Sequence, residues 1–376
     1  MKTTACVGQP SWQFASSTVE AAITRLGGQL SPVRFHLPHG VVEPFAVAPW
    51  AEEKPADTPP MLQALRGDFF CAPFGGNENV YRGERHPAHG ETASAPWRFE
   101  SLRRGNGEVT LHLSLETRVR PGLVEKFIRL RDGETAVYCQ HVLSGFAGRM
   151  NVGHHATLKF PAEPGSGHIS TSRIQFGQVL PIAFEDPAKG GYSSLKQGAI
   201  FSRLDRVPMG NGKITDVSRY PARRGFEDLL MIVHESKSDF AWTAAAFPGK
   251  GYVWFALKDP RVLRSTVFWI SNGGRHYPPW SGRHVDVMGI EDVTAYFHCG
   301  LAESARSNPV NRRGFPTSLK LSASTPLKVN YIMAVAAIPR GFERVKTVVP
   351  GEGRVTLLST GGHRVTVPLD PDFLYS

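Results

Sequence analysis

The sequence feature that most constrains the fold is a strict alternation of apolar and polar residues over positions 109–116, whose sequence is VTLHLSLE. Neighbouring side chains of a β-strand point to opposite faces, so this pattern predicts a strand with one buried face. In the segment Phe127–Ser144 the dipeptide Asp132-Gly133 lies between two apolar runs, which favours the tight turn of a β-hairpin. The clearest local signals therefore predict β structure.

Further apolar or alternating runs extend this pattern towards the C-terminus. They lie at Ile232–His234, Phe240–Phe247, Tyr252–Leu257, Thr266–Ser271, Val285–Phe297 and Leu327–Ile338, followed by a hairpin at Val355–Leu369. Helical periodicity longer than two turns is nearly absent, and glycine and proline turns are frequent. We therefore predict an all-β protein, a large antiparallel sandwich or barrel with very little helix.

The N-terminal part gives weaker local signals. Ser17 and Glu20 favour a helix cap, but a following pair of glycines would end that helix within about three turns. The alternation of the same residues favours a hairpin, which we predict for Ser17–Leu37. Pro44–Pro60 predicts a surface loop and Met61–Leu65 a short helix.

The chain has 376 residues, of which 41% are hydrophobic, and can bury a large core. Length alone would allow two or three domains, but all-β units often run long as one unit. No Ser/Gly-rich or charge-rich linker divides the sequence. We expect one domain over residues 1–376.

Charge and cysteine content limit the expected partners and compartment. The formal net charge is +10, but the basic residues are scattered and form no RNA-binding motif, which argues against nucleic acid. No apolar run approaches the roughly 18 residues that a membrane span requires. The four cysteines lack metal-binding spacing, and residues 1–12 lack the apolar core of a signal peptide. We expect a cytoplasmic protein with free thiols and no cofactor.

Three stretches concentrate residues that suit chemistry. The first, Leu65–Trp97, places many titratable side chains among glycine, proline and aromatic residues, a composition typical of a binding loop and also of a long polar connection. The second, Asn151–Phe160, carries adjacent histidines at 154 and 155, which would point to opposite faces of a strand. In the third, Trp280–Phe297, Glu291 and Asp292 interrupt an apolar run, which is typical of an ion pair, a strand at a sheet edge or a tuned acid–base group.

Taken in order, several segments resemble the aldose 1-epimerase (galactose mutarotase) family. They are TRLGGQLSPVRF, APFGGN, HPAHGE, NVGHHATLKF, GFEDLLMIV and VDVMGIEDVTAYF, and they span most of the chain. The resemblance implies a large antiparallel β-supersandwich and the reversible ring opening of an aldose at C1. A monosaccharide substrate and no metal are implied with it.

The resemblance also implies roles for individual residues. His155 matches the family's general acid and Glu291 its general base, and opening a hemiacetal needs one group of each kind. The sugar-binding positions implied by the resemblance, or lying near them, are His89, Asp228, Asn77 and Arg82, with Trp280 as an aromatic wall for the sugar face. We expect the four residues His89, His155, Asp228 and Glu291 to line one concave face. The His155 and Glu291 side chains should lie roughly 5 to 9 Å apart, with His154 pointing away.

Four arginines flank these segments, at 82, 85, 275 and 283. Because guanidinium groups pair well with carboxylate and phosphate, they favour an acidic or phosphorylated sugar, unless they are only solvated surface residues.

Two other functions fit the same residues. A catalytically weak carbohydrate-binding protein could use the same scaffold, since fold does not determine function. A metal-dependent lyase or hydrolase could draw ligands from His86, His89, His154 or His155, although no HExxH motif accompanies them.

Overall fold

The computed structural model describes residues 1–53, 55 and 57–376. Antiparallel strands dominate this part of the chain. In chain order they are β1 (Thr4–Cys6), β2 (Gln9–Ala15), β3 (Val19–Thr24), β4 (Leu30–Leu37), β5 (Gly40–Val42), β6 (Phe70–Cys71), β7 (Arg98–Gly105), β8 (Glu108–Thr117), β9 (Gly122–Arg131), β10 (Ala136–Ser144), β11 (Gly148–Met150), β12 (Val152–Lys159), β13 (Gly167–Thr171), β14 (Ile174–Val179), β15 (Ile200–Phe201), β16 (Val207–Pro208), β17 (Ile214–Thr215), β18 (Arg219–Tyr220), β19 (Phe226–His234), β20 (Ala241–Phe247), β21 (Tyr252–Lys258), β22 (Ser265–Asn272), β23 (Val287–Thr294), β24 (Leu319–Leu321), β25 (Leu327–Ala337), β26 (Val345–Gly351), β27 (Arg354–Ser359) and β28 (Arg364–Pro368).

Helices are few and short. The α-helices are α1 (Pro60–Ala64), α2 (Glu91–Ser94) and α3 (Leu301–Ala305), and the 3₁₀-helices are Pro187–Lys189, Pro248–Lys250, Asn311–Arg313 and Pro371–Tyr375. No helix in residues 1–53, 55 and 57–376 is long and apolar enough to span a bilayer. The predicted all-β architecture with very little helix is confirmed.

Two large sheets form the body of the protein. One has nine strands in the order β18-β13-β20-β21-β25-β10-β9-β8-β7, and the other has seven in the order β15-β14-β19-β22-β23-β12-β6. Strands distant in the sequence are therefore neighbours. In particular, β12 pairs with both β23 and β6, which brings the second and third chemistry-bearing stretches together and places them beside β6 of the first stretch.

The main core lies between these two sheets. Alternate residues of both sheets belong to one buried cluster, for example Leu113 and Trp254 from the nine-stranded sheet and Ile232 and Ile290 from the seven-stranded sheet. Each such large apolar side chain contributes roughly 1.5–3 kcal/mol by leaving water. The five-stranded sheet β1–β5 adds side chains to the same cluster, beginning at Trp12.

Each large sheet is also covered on its other face. The C-terminal sheet β26–β28 packs on the nine-stranded sheet through a second cluster that includes Phe255 and Leu357. The face of the seven-stranded sheet that points away from the main core carries a third cluster, in which Phe69, Trp269 and Trp280 come from different parts of the chain. Aromatic side chains on both sides explain why the seven-stranded sheet reads as nearly continuous apolar runs in sequence.

Most local predictions are confirmed. The alternating segment 109–116 lies in β8, and the Asp132-Gly133 turn joins β9 to β10. Residues 17–37 form the predicted hairpin, β3 and β4, rather than a helix. Within the loop prediction for 44–60, positions 54 and 56 lie outside the described residues. The four cysteines are free, and the single domain stays a prediction.

A layer of charged groups is buried in the main core behind the seven-stranded sheet. The Asp292 carboxylate receives hydrogen bonds from Lys258 Nζ, from Thr266 Oγ1 (2.6 Å) and from Tyr331 Oη (2.8 Å). Lys258 and Asp292 are almost fully buried. A buried charge is tolerated only when it is paired and hydrogen-bonded, so this cluster depends on all of its members.

We predict that Lys258→Met destabilises the fold strongly. The substitution keeps most of the side-chain volume but leaves the Asp292 charge buried without its cation, which typically costs about 3–5 kcal/mol. Urea unfolding followed by tryptophan fluorescence measures the change.

The matched control is Arg203→Met, which breaks an ion pair to Asp205 that is open to solvent. Exposed pairs contribute little, so this variant should unfold at the wild-type urea concentration. Equal midpoints for Lys258→Met and wild type would contradict the importance given to the buried pair.

Candidate functional site

A cavity of about 100 Å³ opens on the face of the seven-stranded sheet that carries the third cluster. Side chains from β12, β19, β22, β23 and α1 contribute to it, together with loop residues. Its lining residues are Met61, Leu62, Leu65, His89, His155, Phe184, Leu229, Trp269, Arg275, Trp280, Glu291 and His298. The pocket thus has a mainly apolar wall with a few ionisable groups, a composition typical of small-molecule sites.

The register of β12 and β23 brings His155 and Glu291 together. These strands pair antiparallel with His155 directly opposite Glu291, and both side chains point into the cavity. His155 Nε2 lies 3.1 Å from Glu291 Oε1. The expected separation of 5 to 9 Å was wrong, because directly opposed residues have Cβ atoms only about 4.5–5.5 Å apart and their side chains touch.

Their sequence neighbours point the other way. His154 lies opposite Asp292 in the same register, and both belong to the buried layer between the large sheets. His154 Nδ1 lies 2.8 Å from Asp68 Oδ2, and its ring stacks on Tyr331. The expected orientation of His154 is confirmed, and its contacts indicate a structural role.

The surroundings of the pair set its proton distribution. Phe69 stacks on the His155 ring at 4.4 Å and Trp269 approaches it edge-on, so the pair lies against aromatic surfaces. Burial lowers the pKa of His155 to about 4. Burial also raises the pKa of Glu291 well above its usual range, although the Arg275 charge opposes this. Both shifts favour one proton on Glu291 and a neutral His155 at neutral pH.

His89 completes the polar corner of the cavity. Its ring centre lies 5.0 Å from that of His155. His89 Nδ1 accepts a hydrogen bond from the Gly75 backbone N–H (3.4 Å) and lies 3.4 Å from Cys71 Sγ, so the ring hydrogen belongs on Nε2. Burial lowers the pKa of His89 well below its usual range, with smaller contributions from His155 and His298. His89 is therefore a neutral hydrogen-bond donor.

Asp228 is not part of this pocket. It belongs to β19, where Leu229 lines the cavity, and neighbouring residues of a strand face opposite sides. Its carboxylate accepts hydrogen bonds from Ser194 N, Ser194 Oγ and Leu195 N at 2.6–2.8 Å and so holds a loop in place. The expectation that Asp228 lies on the concave face was wrong, because the next residue of the strand, Leu229, is the one that faces the cavity.

Asn77 and Arg82 also lie outside the cavity lining. Asn77 is buried and donates to the carbonyls of Pro73, Gly75 and Pro87, which shapes the loop beneath His89. Arg82 is exposed, with its guanidinium 5.6 Å from the Tyr81 ring centre. Neither placement supports direct contact with a ligand in this cavity.

Trp280 does line the cavity, and Arg275 packs against it. The Arg275 guanidinium lies 4.6 Å from the Trp280 ring centre and 5.2 Å from that of Phe184. Arg275 Nε donates to Glu185 Oε1 at 2.7 Å, so the charge of this arginine is already balanced inside the protein. The other flanking arginines lie away from the cavity: Arg85 is exposed, and Arg283 pairs with Glu53 at the surface.

Sequence reasoning overlooked three residues around this pocket. Trp269 and His298 line it directly. Glu227 lies behind the wall, accepts hydrogen bonds from Trp269 Nε1 (3.0 Å) and Ser271 Oγ (2.9 Å), and has a pKa raised to about 7 by burial. Glu227 and Leu229 are two positions apart in β19, so their side chains lie on the same face of the strand. This alternation could have identified Glu227. No sequence pattern marks His298, which follows the end of β23.

The histidines considered for a metal site do not converge. His86 Nε2 lies 2.8 Å from Glu84 Oε2 in the loop, and His154 faces the core. Within the described part of the chain, no three side chains of histidine, cysteine, aspartate or glutamate are arranged to hold a metal ion.

Comparison with known proteins gives similarity at the level of structure. No protein-family model and no curated protein sequence matches this chain. A galactose mutarotase-like protein from Clostridium acetobutylicum superposes with a TM-score of 0.60 at 12% identity, covering 90% of this chain and 98% of that one. A protein from Escherichia coli K12, provisionally described as an aldose 1-epimerase, gives 0.59 at 11% identity, covering 87% and 99%. A galactose mutarotase related enzyme from Lactobacillus acidophilus gives 0.56 at 11% identity, covering 88% and 99%.

The superpositions extend over nearly the whole of each of these three chains. At 11–12% identity such similarity establishes the fold and leaves the chemistry to be argued from the side chains of this protein. This chain has the galactose mutarotase-like β-supersandwich fold.

Proposed function

We propose that this protein is an aldose 1-epimerase-like enzyme that interconverts the α and β anomers of a monosaccharide. The observation that carries the proposal is the contact of His155 Nε2 with Glu291 Oε1 (3.1 Å) in the wall of a small pocket, beside the neutral donor His89. Ring opening needs one general acid and one general base, and a buried acid–base pair that faces a cavity supplies both. The fold similarity supports the same class of reaction.

The reaction balances with these two groups alone. One group takes the proton of the C1 hydroxyl while the other gives a proton to the ring oxygen. The bond from C1 to the ring oxygen breaks, and an open-chain aldehyde forms. Rotation about the C1–C2 bond presents the other face of the aldehyde, and the two proton transfers then run in reverse. Each transfer supplies roughly 10² to 10⁴-fold in rate.

The environment of the pair reverses the roles implied by the family resemblance. Burial places the shared proton on Glu291 and leaves His155 neutral, so Glu291 protonates the ring oxygen and His155 accepts the C1 proton. On ring closure each group takes back its original state. A carboxylic acid kept protonated by an apolar site is an established way to supply a general acid at neutral pH.

The charges around the pocket favour a neutral sugar. Arg275 is the one arginine among the lining residues that the structure describes, and Glu185 already neutralises it at 2.7 Å, with Glu227 as a second nearby carboxyl group. A substrate carboxylate or phosphate would have to displace Glu185 from this pair. We therefore favour an uncharged aldose, whose apolar face packs against Trp280.

A carbohydrate-binding protein without activity is the second candidate. The family resemblance implied a sugar-binding carboxylate at Asp228, but β19 presents the apolar Leu229 to the pocket instead. The absence of that carboxylate from the described lining favours this candidate. Polarimetry of freshly dissolved α-anomers of neutral and acidic sugars discriminates the two candidates. Relaxation faster than in buffer supports the enzyme, and buffer-rate relaxation of every sugar supports the binder.

We predict that Glu291→Gln lowers turnover by about 10² to 10⁴-fold while sugar binding survives, because glutamine keeps the shape but cannot exchange the proton. His155→Asn should behave similarly. The double variant should lose little beyond the weaker single variant, since the two groups act as a unit. Polarimetry gives turnover, and calorimetric titration gives affinity.

The matched control for this experiment is Glu352→Gln, an exposed glutamate in the turn between β26 and β27. It should keep the wild-type rate. Full activity of Glu291→Gln on the best substrate would instead make Glu291 a structural carboxyl group and remove the proposed mechanism.

We predict a bell-shaped pH profile of kcat/KM that belongs to the pair. Below about pH 4, His155 becomes protonated and no base remains, so the rate falls on the acid side. As pH rises through the raised pKa of Glu291, the acid is lost and the rate falls again. In Glu291→Gln the alkaline limb should disappear from the residual activity. Loss of the acid limb instead would restore the roles implied by the resemblance.

A further inference from the structure

The pocket wall carries a third imidazole, His298, which the proton transfers do not use. It lies just beyond β23 and lines the cavity with His89 and His155. Its ring meets Phe184 edge-on at 5.1 Å. Burial lowers the pKa of His298 to about 4, with a further contribution from the Arg275 charge, so the ring is neutral. Its Nδ1 atom is buried and has no hydrogen-bond partner within the described part of the chain.

The backbone around His298 is fixed from two sides. The preceding residue, Phe297, is fully buried and has φ +47°, a conformation that is rare for a bulky residue and persists only where the surroundings enforce it. The His298 carbonyl accepts a hydrogen bond from Gly76 N at 2.6 Å. A Cβ at Gly75 would lie 2.4 Å from the same carbonyl oxygen, so glycine is required there. The sequence APFGGN is thus shaped to the His298 backbone.

The other polar atoms of the pocket are largely committed to partners. His155 contacts Glu291, and Arg275 contacts Glu185. His89 accepts a hydrogen bond from Gly75 N and retains one donor. The rest of the lining is mainly apolar, including Met61 and Leu229. Few groups therefore remain to pair with the hydroxyls of a sugar beyond the reacting carbon.

We propose that His298 is a specificity-determining residue that hydrogen-bonds one hydroxyl of the bound monosaccharide away from C1. A neutral imidazole offers one donor and one acceptor, and a sugar hydroxyl can pair with either. This inference rests on the proposed function, because it requires a sugar in the pocket. It goes further by assigning the choice among epimers to a single side chain.

The expected effect follows from the cost of an unpaired polar group. A sugar hydroxyl buried against phenylalanine in place of His298 would lose its partner, which lowers affinity about 10- to 100-fold. A sugar that lacks that hydroxyl would lose nothing, and sites built around a hydroxyl discriminate strongly in this way. The effect is therefore selective for one ring position.

Calorimetric titration tests the proposal with D-glucose, D-galactose, D-mannose and each monodeoxy derivative of the sugar that binds best. We expect His298→Phe to weaken the best sugar by about 10- to 100-fold and to leave one deoxy derivative unaffected. His298→Asn, which keeps a polar group, should recover part of the loss. His39→Phe, at an exposed turn between β4 and β5, is the control and should bind as wild type does.

Each outcome decides the matter. An unchanged affinity of His298→Phe, or an equal loss for every derivative, overturns the proposal, the latter because it indicates a structural role. If wild type binds a sugar and His298→Phe shows the selective loss, but wild type leaves mutarotation at the buffer rate, the role of His298 is retained and the proposed reaction is removed. Failure of wild type to bind any of these sugars overturns both.

Discussion

The interaction on which this structure depends is the register between β12 and β23. His154 lies opposite Asp292 and His155 opposite Glu291, so two pairs of adjacent residues are matched across the strands. A slip by one residue would exchange the faces of every side chain and bury the pocket pair in the main core. Asp292 opposes such a slip, because its hydrogen bonds from Thr266 and Tyr331 exist only on the core side.

The two faces of this register use the same residue types for opposite purposes. On the core face, Asp292 is surrounded by donors and Lys258 supplies the compensating charge. On the pocket face, the partner of Glu291 is the His155 imidazole at 3.1 Å. The His155 ring in turn lies against the aromatic rings of Phe69 and Trp269. Burial is similar for Asp292 and Glu291, but only Asp292 is surrounded by donors and paired with a lysine. The pKa of Glu291 is raised because burial disfavours the charged form of its carboxyl group.

The sequence predicts well what depends on local periodicity. The alternation at 109–116 identifies a strand. The adjacent histidines 154 and 155 and the adjacent acids 291 and 292 indicate that one residue of each two faces a pocket. Prediction fails where the phase of a strand decides, since residues 227 and 228 both carry carboxyl groups and only the position of Leu229 in the pocket shows that Glu227 lies on the pocket side of the sheet. The charge balance of Arg275 depends on Glu185, ninety positions away in the chain, and no local pattern contains that contact.

His298 shows how a site residue can escape pattern reasoning altogether. Its place is set by a left-handed turn at Phe297 and by the close approach of Gly75, and each makes sense only once the two loops are in contact. In the structure, Gly75 of the first stretch makes room for the backbone of another pocket residue, His298. Because that loop also holds His89 through Gly75 N and Gly75 O, one turn fixes two imidazoles relative to His155 and Glu291. The geometry of the pocket thus depends on backbone contacts that no single residue type reveals.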